Sequence, residues 1–545
     1  MLFKQNNLFK FIIKSVNFYE KISNVNTLAS SSYKGSFHEW ILKFFRTQPR
    51  YKKFLLDRDV DVTHLVKNLI SLKAISTNEL LINFSSLNTL PIINEVDREL
   101  ESRVNTMNID QMITLMDTCL ASKNKLFKKS RAFKKCLETM DEKWFRKPDL
   151  NCYQTMQLIY YVSFFKKKAT NVVTYGLKKI ANDFNYLKKF SDEEMSILAI
   201  TTYKTGAKVN DKLLRIIVSK LEKNLNNLIQ TPILFVSLLK PLKKAKYHDP
   251  VLISKLIQTI KFDNNLVIKD VTSSIHFLSY LADANCGDIQ YLQQLIDLIG
   301  NIMVQDNLKN YRIKDVTSFL FSISYLGLSV NNTSLKTTIT NFLNYIFNSK
   351  ENCIKHSKMF ISINLSLWML NWENIYLTKL IAMEIPISSL RSQDVHKQNY
   401  RLDLLLTCIS IERPELIEKH SLNQTINTMP QFDRHLDERP FLQKVFKNLK
   451  ELSRKHNLFS VEYNFCIPNI KILNIKVVDN NRIIFYFEVL DNTTCLHNTA
   501  VPHGMMKLKL RLESKLNYRI ISINEINNIL LSSKSLKQYL DFLLS

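Results

Sequence analysis

Apolar residues recur at three- and four-residue spacing between about residues 107 and 372, which is the period of an amphipathic helix. Within this stretch, residues 268–282 read IKDVTSSIHFLSYLA and residues 313–327 read IKDVTSFLFSISYLG, so the two segments start 45 residues apart. Weaker copies of the pattern begin near Ile109, Leu150, Ser191, Ile229 and His356. Successive starts differ by about 38 to 45 residues, the length of a two-helix unit that buries its apolar face by stacking on its neighbours. The pattern predicts an α-helical solenoid of two-helix repeats over residues 107–389, with an irregular helical domain as the alternative.

The first helix of each repeat is predicted to begin at a polar residue and to bury one apolar stripe. In the copy at residue 313 the polar residue is Asp315. The stripe of that copy consists of Val316, Leu320, Ile323 and Leu326. Residues 31–106 are helical in pattern but lack the repeat, so we expect an N-terminal helical cap there. Residues 390–457 combine many polar residues with several prolines, and we expect a connecting segment with short helices.

The hydrophobic pattern changes from a helical to a strand period near Phe459. Apolar residues alternate with polar ones at Phe459, Val461, Tyr463 and Phe465. Residues 483–490, IIFYFEVL, form an almost unbroken apolar run, which is typical of a strand buried on both faces. Helical spacing returns over residues 505–516, followed by a strand at 518–523 and a helix at 535–544. We therefore predict a small C-terminal α/β domain over residues 458–545.

The N-terminal residues 1–30 have the character of an organellar targeting segment. Lys4, Lys10 and Lys14 precede the first acidic residue, Glu20, and the apolar residues between them can form a helical stripe. A plain N-terminal helix is the alternative. Since no apolar run reaches the roughly 18 residues that cross a bilayer, we expect no insertion into a membrane.

The chain carries a strong positive charge. Its 75 Lys and Arg against 49 Asp and Glu give a formal net charge of +26, which points to a polyanionic partner such as RNA; nucleotide bias in the coding sequence is the alternative. None of the eight cysteines forms a Cys-x-x-Cys pair with a second pair downstream, which argues against a zinc site. We find no P-loop and no glycine-rich dinucleotide turn, so we expect neither a metal nor another cofactor.

Basic residues cluster in two parts of the predicted array. Residues 123–189 hold 17 Lys and Arg against five acids. From this cluster we expect RNA phosphates to be bound by Lys123, Lys125, Lys128, Lys129, Arg131, Lys134, Lys135, Lys166, Lys167, Lys168, Lys178 and Lys179. The second cluster consists of Lys240, Lys243, Lys244 and Lys246. Base stacking is a hypothesis for Tyr160, Tyr161, Phe164 and Phe165, with a place in the core as the alternative.

The C-terminal stretch FYFEVLDNTT, followed by residues 505–544, resembles a RAP domain, the C-terminal module of many organellar RNA-binding proteins, including the FAST-kinase-like family. The residues that carry the resemblance are Glu488, Asp491, Lys507, Lys509, Arg511, Tyr518, Ile520, Ile521, Lys537, Tyr539 and Leu540. The resemblance implies a mitochondrial RNA-binding protein, with a plastid as the alternative, that acts in RNA processing, transcript stability or ribosome assembly. Its partners would be organellar rRNA or mRNA and ribonucleoprotein components, and Lys507, Lys509 and Arg511 would add RNA contacts.

The RAP fold is a reduced form of the PD-(D/E)xK nuclease core, and the corresponding positions here are Asn464, Glu488 and Asp491. Such nucleases hold Mg²⁺ with two carboxylates, and a Lys helps to activate water. Asn464 is an amide, and the second residue after Glu488 is Leu490 rather than Lys. We therefore expect a degenerate nuclease-like site and a binding role. The alternatives are an Mg²⁺-dependent RNA endonuclease and a solenoid scaffold for proteins.

Overall fold

The structure is a computed structural model. It describes residues 37–48, 50–51, 75–86, 93–121, 130–144, 150–164, 171–260, 270–306, 308, 311–330, 332–391, 396–416, 436–453, 458–479, 481–528 and 533–544. The predicted targeting segment at residues 1–30 lies outside these ranges. The chain divides into two compact units, the first comprising Met1–Phe165 and Thr170–Lys179 and the second comprising Lys166–Ala169 and Ile180–Ser545.

The described part of the first unit is helical. Its helices are α1 Phe37–Thr47, α2 Thr77–Ser86, α3 Ile93–Arg103, α4 Ile109–Ala121, α5 Arg131–Thr139, α6 Cys152–Val162 and the first part of α7 Asn171–Asn182. The core includes Asp117 of α4, which accepts hydrogen bonds from Arg46 Nε at 2.8 Å and from the Tyr161 hydroxyl at 3.0 Å. Burial raises the pKa of Asp117, and the Arg46 charge opposes that rise. Tyr160 and Tyr161, two of the predicted stacking residues, are fully buried side chains of this core.

The second unit continues with helices as far as residue 452. They are α8 Phe184–Lys189, α9 Asp192–Thr205, α10 Asp211–Gln230, α11 Pro232–Ala245, α12 Pro250–Thr259, α13 Val271–Asp283, α14 Ile289–Gln305, α15 Ile313–Leu326, α16 Thr333–Ile346, α17 Lys350–Lys355, α18 Ser357–Met369, α19 Ile375–Lys379, α20 Ile387–Leu390, α21 His396–Glu412 and α22 Pro440–Leu452. Asp270 caps α13 by accepting a hydrogen bond from the Ser273 backbone N–H at 2.8 Å. Asp315 instead lies inside the first turn of α15 and binds Arg312.

Alternate helices of this unit pack in two rows. In the inner row, α9, α11, α13, α15, α18 and α21 each pack against the next, and in the second row α10 packs against α12 and α14 packs against α16. The apolar stripe predicted for α15 accounts for the packing of this helix against its neighbours. All four residues of the stripe are buried, as are Phe319 and Ser322 on the same helix. The predominantly helical character predicted for this part of the chain is confirmed.

The C-terminal region contains a four-stranded mixed sheet. Its strands are β1 Leu458–Asn464, β2 Asn474–Asp479, β3 Ile484–Leu490 and β4 Arg519–Asn524, and they lie in the order β1-β2-β3-β4. The β1/β2 and β2/β3 pairs are antiparallel, whereas β3 and β4 are parallel and are connected through α23, Gly504–Lys515. Two further helices follow, α24 Glu525–Asn528 and α25 Ser533–Leu544. The predicted small C-terminal α/β region is therefore confirmed.

The two faces of the sheet pack against different helices. Side chains of successive strand residues point to opposite faces. Phe487 and Val489 of β3 join an apolar core with residues of α22 and α25. Glu488 and Leu490 face the other way, toward α23. A polar group thus lies inside the domain between the sheet and α23.

Within the part of the chain that the structure describes, no helix is both long enough and apolar enough to cross a membrane.

Candidate nucleic-acid interface

Cationic side chains from several helices of the inner row lie close together in the second unit. Lys204 is in the last turn of α9, Lys240 and Lys243 are on α11, and Arg312 and Lys314 are at the start of α15. Desolvation, followed by the charges of Lys314 and Arg312, lowers the pKa of Lys240 to about 8. Like charges affect one another in this way only at short range. Stacking of the helices therefore brings together cations that are about 70 residues apart in sequence.

His276, on α13 between these helices, is affected by the same cations. Its pKa is lowered to about 3, first by burial and then by the charges of Lys240, Lys243, Arg312 and Lys314. At neutral pH the imidazole of His276 is therefore uncharged. It offers one N–H donor among four cations.

The basic surface extends beyond Lys240, Arg312 and Lys314. Lys204 and Lys397 are exposed to solvent, yet desolvation is the largest cause of the lowered pKa of each, and that of Lys204 falls to about 8. Arg401, Lys246 and Lys358 lower the pKa of Lys397 further, which extends the basic surface to α18 and α21. We call this surface the basic groove, consisting of Lys204, Lys240, Lys243, His276, Lys314, Lys397 and Arg401.

The acidic residues near the basic groove are already engaged. Asp315 binds Arg312 through both carboxylate oxygens at 2.7 and 2.8 Å. Burial acts to raise the pKa of Asp283, but His248, 3.0 Å away, and the charges of Lys243 and Lys246 lower it overall. The charge of the basic groove therefore remains positive.

Aromatic rings lie among these cations. Tyr203 is 37% exposed, its backbone oxygen accepts a hydrogen bond from Lys244 Nζ at 2.9 Å, and Lys240 Nζ lies 6.0 Å from its ring centre. Arg401 lies over Phe321 at 4.9 Å. Neither ring was predicted to take part, although Tyr203 directly precedes Lys204 in the sequence. A half-exposed ring beside a cation can stack a nucleobase.

The structure separates the residues predicted to bind RNA into different environments. Lys123, Lys125, Lys128, Lys129, Lys166, Lys167 and Lys168 lie outside the described residues, as does Phe165. In the first unit, Arg131 and Lys134 of α5 and Lys178 of α7 are exposed, and Lys135 is half-buried. Lys179 Nζ donates to the Leu150 backbone oxygen at 2.5 Å. Lys240 and Lys243 belong to the basic groove, whose other members sequence analysis missed. Lys244 and Lys246 flank the groove.

In the C-terminal region, α23 is held against the inner row. Lys507 Nζ donates to the Gly327 backbone oxygen at 2.7 Å. Arg511 binds both carboxylate oxygens of Glu412 at 2.8 and 3.0 Å. Gly504 fits against α15 so closely that an added Cβ would lie 1.7 Å from the Ser324 backbone oxygen. Lys507 and Arg511, two of the predicted RNA contacts, bind protein groups in this structure.

The third predicted contact in this region, Lys509, is fully buried. Its ammonium lies 2.6 and 2.7 Å from the two carboxylate oxygens of Glu488 and 3.6 Å from Glu513. Asn474, opposite Glu488 in the β2/β3 pair, donates to the same carboxylate at 2.6 Å. We therefore leave Lys509 out of the proposed RNA surface, because phosphate has no access to its ammonium.

Glu513 completes this buried cluster. Burial, followed by the charge of Glu488 and a hydrogen bond to it, raises the pKa of Glu513 to about 8, and the charge of Lys509 opposes this rise. Cys466 Sγ donates to Glu513 Oε1 at 2.7 Å, and burial raises the pKa of that thiol. Two carboxyl groups and one ammonium thus share the site, and at neutral pH the second carboxyl group retains its proton.

The cluster has the donor set of a cation site. One ligand atom each from Cys466, Glu488 and Glu513 lies within 4.8 Å of the others. The Lys509 ammonium already binds both oxygens of Glu488, so a divalent ion would have to displace it.

The eight cysteines, all within described residues, form no disulfide.

The predicted nuclease-like residues do not meet at this cluster. Asn464 is on β1, two strands away from Glu488, and pairs with Asn474. Asp491 is held by Arg439, whose Nε lies 2.7 Å from its carboxylate. The structure thus brings Asn474, Glu488 and Lys509 together in place of the predicted set. The parallel β3-α23-β4 arrangement, which places Lys509 beside Glu488, is not evident from the sequence.

Neither a protein-family model nor a curated protein sequence matches this chain.

Proposed function

We propose that the second unit binds RNA through the basic groove. The observation that carries the proposal is the packing of α9, α11, α13, α15, α18 and α21 in one row, with cations of α9, α11 and α21 each lowered in pKa by a neighbouring cation and His276 lowered by those of α11 and α15. Such crowding destabilises the charged forms, and a polyanion laid along the groove offsets it. In this proposal the inner row is one face of an open solenoid of two-helix repeats.

Single-stranded RNA suits the groove better than a duplex. Tyr203 lies beside Lys240, so a base and its phosphate can be bound by neighbouring side chains. Stacking of a base on an aromatic ring contributes roughly 1 to 3 kcal/mol. In a duplex the bases are paired and stacked on each other, and this contact is lost.

The cellular role follows from the resemblance to RAP proteins and from the N-terminal segment. We propose a mitochondrial location, with a plastid as the alternative, and a role in RNA processing, transcript stability or ribosome assembly. Fusion of residues 1–30 to a fluorescent protein tests the location. Fluorescence in mitochondria or plastids supports it, and a diffuse cytosolic signal contradicts it.

The buried cluster is proposed to stabilise the C-terminal region rather than to cleave RNA. Glu488 is bound by Lys509 and Asn474, and Lys509 and Glu488 are both completely buried. Metal-assisted cleavage needs carboxylates that reach the substrate phosphate through the ion. Incubation of RNA with Mg²⁺ and either the wild type or Glu488→Gln tests this. Cleavage by the wild type that Glu488→Gln abolishes would establish the endonuclease alternative.

Photo-crosslinking tests the RNA-binding proposal directly. Full-length protein is irradiated with a single-stranded RNA containing 4-thiouridine, and the crosslinked peptides are identified by mass spectrometry. We expect crosslinks at α9, α11 and α15, with Tyr203 among the modified residues. Peptides crosslinked only elsewhere in the chain would move the binding surface away from the basic groove. No crosslink at all would support the protein-scaffold alternative.

A further inference from the structure

The first helices of the inner row run in the same direction. Near the starts of α9 and α11, the Ser196 hydroxyl donates to the Leu234 backbone oxygen at 3.3 Å, and a second hydrogen bond joins the ends of these two helices. His248, which follows α11, lies 3.0 Å from Asp283 at the end of α13. The C-terminal ends of α9, α11 and α13 therefore lie on one side of the row.

The C-terminal region is bonded to that side of the remaining helices. Its contacts come from the backbone N–H of His497 at 2.7 Å and from the α23 side chains Lys507 and Arg511. The groups that accept them lie at the ends of α13, α15, α18 and α21 and belong to Asn285, Gly327, Trp368 and Glu412. The C-terminal region thus covers the C-terminal ends of these four helices.

The cations cross the row obliquely. Lys204 and Lys243 are in the last turns of α9 and α11. On α15, α18 and α21 the second residue of each helix is an exposed lysine, namely Lys314, Lys358 and Lys397. The basic surface therefore moves from the C-terminal ends of the first helices to the N-terminal ends of the last ones, alongside the C-terminal region.

The loop between β1 and β2, residues 465–473, contacts the last helix of the row. Asn469 Nδ2 donates to Thr407 Oγ1 of α21 at 2.9 Å. Lys471 is exposed, and its Nζ lies 5.0 Å from the centre of the Tyr400 ring. Tyr400 directly precedes Arg401 of the basic groove. The loop therefore brings a cation of the C-terminal region to the end of the oblique basic surface.

The two acidic residues of α21 are engaged with other cations. Asp403 lies 2.5 Å from Arg391, and Glu412 accepts hydrogen bonds from Arg511. The positive charge at this end of the row is therefore not offset by α21 itself.

We propose that single-stranded RNA crosses the inner row obliquely from α9 to α21 and that Lys471 binds a backbone phosphate at the end of this path. This inference rests on the proposed RNA binding. Six helices at interaxial distances of about 8 to 10 Å span about 40 to 50 Å. With about 3.4 Å for each nucleotide of a strand, about 12 to 15 nucleotides cover this distance.

The experiment uses two RNAs of 15 nucleotides and identical length, each with a single 4-thiouridine, one at the 5′ end and the other at the 3′ end. Each RNA is crosslinked to the full-length protein, and the modified peptides are identified by mass spectrometry. We expect one end to crosslink to α9 or α11 and the opposite end to residues 465–473. The pairing of ends and peptides gives the direction of the RNA.

Variants measure the contribution of Lys471. Lys471→Gln should make the slope of the logarithm of the association constant against the logarithm of salt concentration less negative by about 0.7. Lys471→Arg keeps the charge and should retain the slope. Lys476→Gln is the matched control, because Lys476 lies on β2 in the same region and its ammonium is 2.9 Å from Glu462. This control should leave the slope unchanged, and circular dichroism verifies that each variant is folded.

The outcomes separate the two proposals. Crosslinks from both ends to the same helices, or none from either end to residues 465–473, overturn the oblique path, whereas RNA binding by the basic groove stands if Lys240→Gln still lowers the affinity. An unchanged slope for Lys471→Gln also overturns this inference. Absence of binding to either RNA contradicts the proposed function itself.

Discussion

Glu513 allows the buried cluster of the C-terminal region to be tested energetically. Its carboxyl group is completely buried beside Glu488, which is ion-paired with Lys509. Burial and the charge of Glu488 raise the pKa of Glu513 from 4.5 to about 8. Glu513→Gln replaces the protonated acid by an amide of nearly the same shape, and its oxygen can still accept the hydrogen bond from Cys466.

The sign and size of the effect follow from proton linkage. Because the folded state has the higher pKa, it binds the proton more tightly than the unfolded state does. The resulting stability is complete below about pH 4.5 and is lost as the pH rises through about 8. A rise in pKa from 4.5 to about 8 corresponds to at most about 5 kcal/mol, at about 1.4 kcal/mol for each pH unit. Glu513→Gln cannot lose a proton and should not show this loss.

Thermal unfolding of the full-length protein at about pH 5 and about pH 8.5 measures the difference. We expect similar midpoints for wild type and Glu513→Gln at the lower pH, and a midpoint at least about 3 °C higher for the variant at the higher pH. The matched control is Glu462→Gln, because the Glu462 side chain on β1 is 53% exposed and paired with Lys476. Its effect should stay below about 1 kcal/mol at both pH values. An equal fall in the thermal midpoint of wild type and Glu513→Gln between the two pH values would refute a protonated Glu513.

Three further changes test the packing of the same region. Lys509→Met leaves the buried Glu488 carboxylate without its ammonium, and we expect urea denaturation to show a loss of about 3 to 5 kcal/mol in the free energy of unfolding. Arg511→Ala removes the two hydrogen bonds to Glu412, so amide hydrogen exchange measured by mass spectrometry should become faster in α21 and α23. Gly504→Ala places a Cβ against the backbone of α15, and the thermal midpoint should fall sharply.

Each of these changes has a control of the same type. Lys476→Met breaks a partly exposed ion pair on the sheet and should cost less than about 1 kcal/mol. Arg519→Ala, on β4, should leave hydrogen exchange in α21 unchanged. Gly300→Ala would place a Cβ against the flexible Leu335 side chain and should lower the midpoint less than Gly504→Ala. The packing described for α23 would be contradicted if each change and its control had equal effects.

Features that depend on neighbouring residues could be predicted from the sequence. The stripe of α15 needs only the helical period, and its residues Val316 and Leu320 are completely buried. The apolar run at residues 483–490 likewise corresponds to β3, whose later residues are buried on both faces. In these cases burial follows from spacing along a single element, which a sequence displays directly.

Features that depend on register or on stacking between helices could not be predicted. The resemblance assigns the degenerate nuclease-like positions to Asn464, Glu488 and Asp491, whereas the antiparallel register of β2 and β3 places Asn474 beside Glu488. Lys509 was predicted to bind RNA. One signal of its burial was present, because Lys509 and Glu513 are four residues apart next to the apolar Leu508 and Leu512.

The residues of the basic groove likewise could not be grouped from the sequence alone. Lys240 lies within a local run of lysines, whereas Lys314 and Lys397 are not part of a basic cluster in the sequence. Only the packing of α11, α13 and α15 in succession brings Lys240 and Lys314 near His276. No spacing rule connects positions in three separate helices. Charge composition indicated a polyanionic partner, and the helical stacking identifies the surface proposed to bind it.

The salt dependence of RNA affinity tests the central proposal most directly. For single-stranded RNA, the logarithm of the association constant falls against the logarithm of salt concentration with a slope of about −0.7 for each phosphate neutralised. If Lys204, Lys240, Lys243, Lys314 and Lys397 each neutralise one phosphate, the slope is about −3.5, and the double variant Lys240→Gln and Lys314→Gln reduces it to about −2. A slope near zero, or a steep slope that the double variant leaves unchanged, would show that RNA does not follow the basic groove.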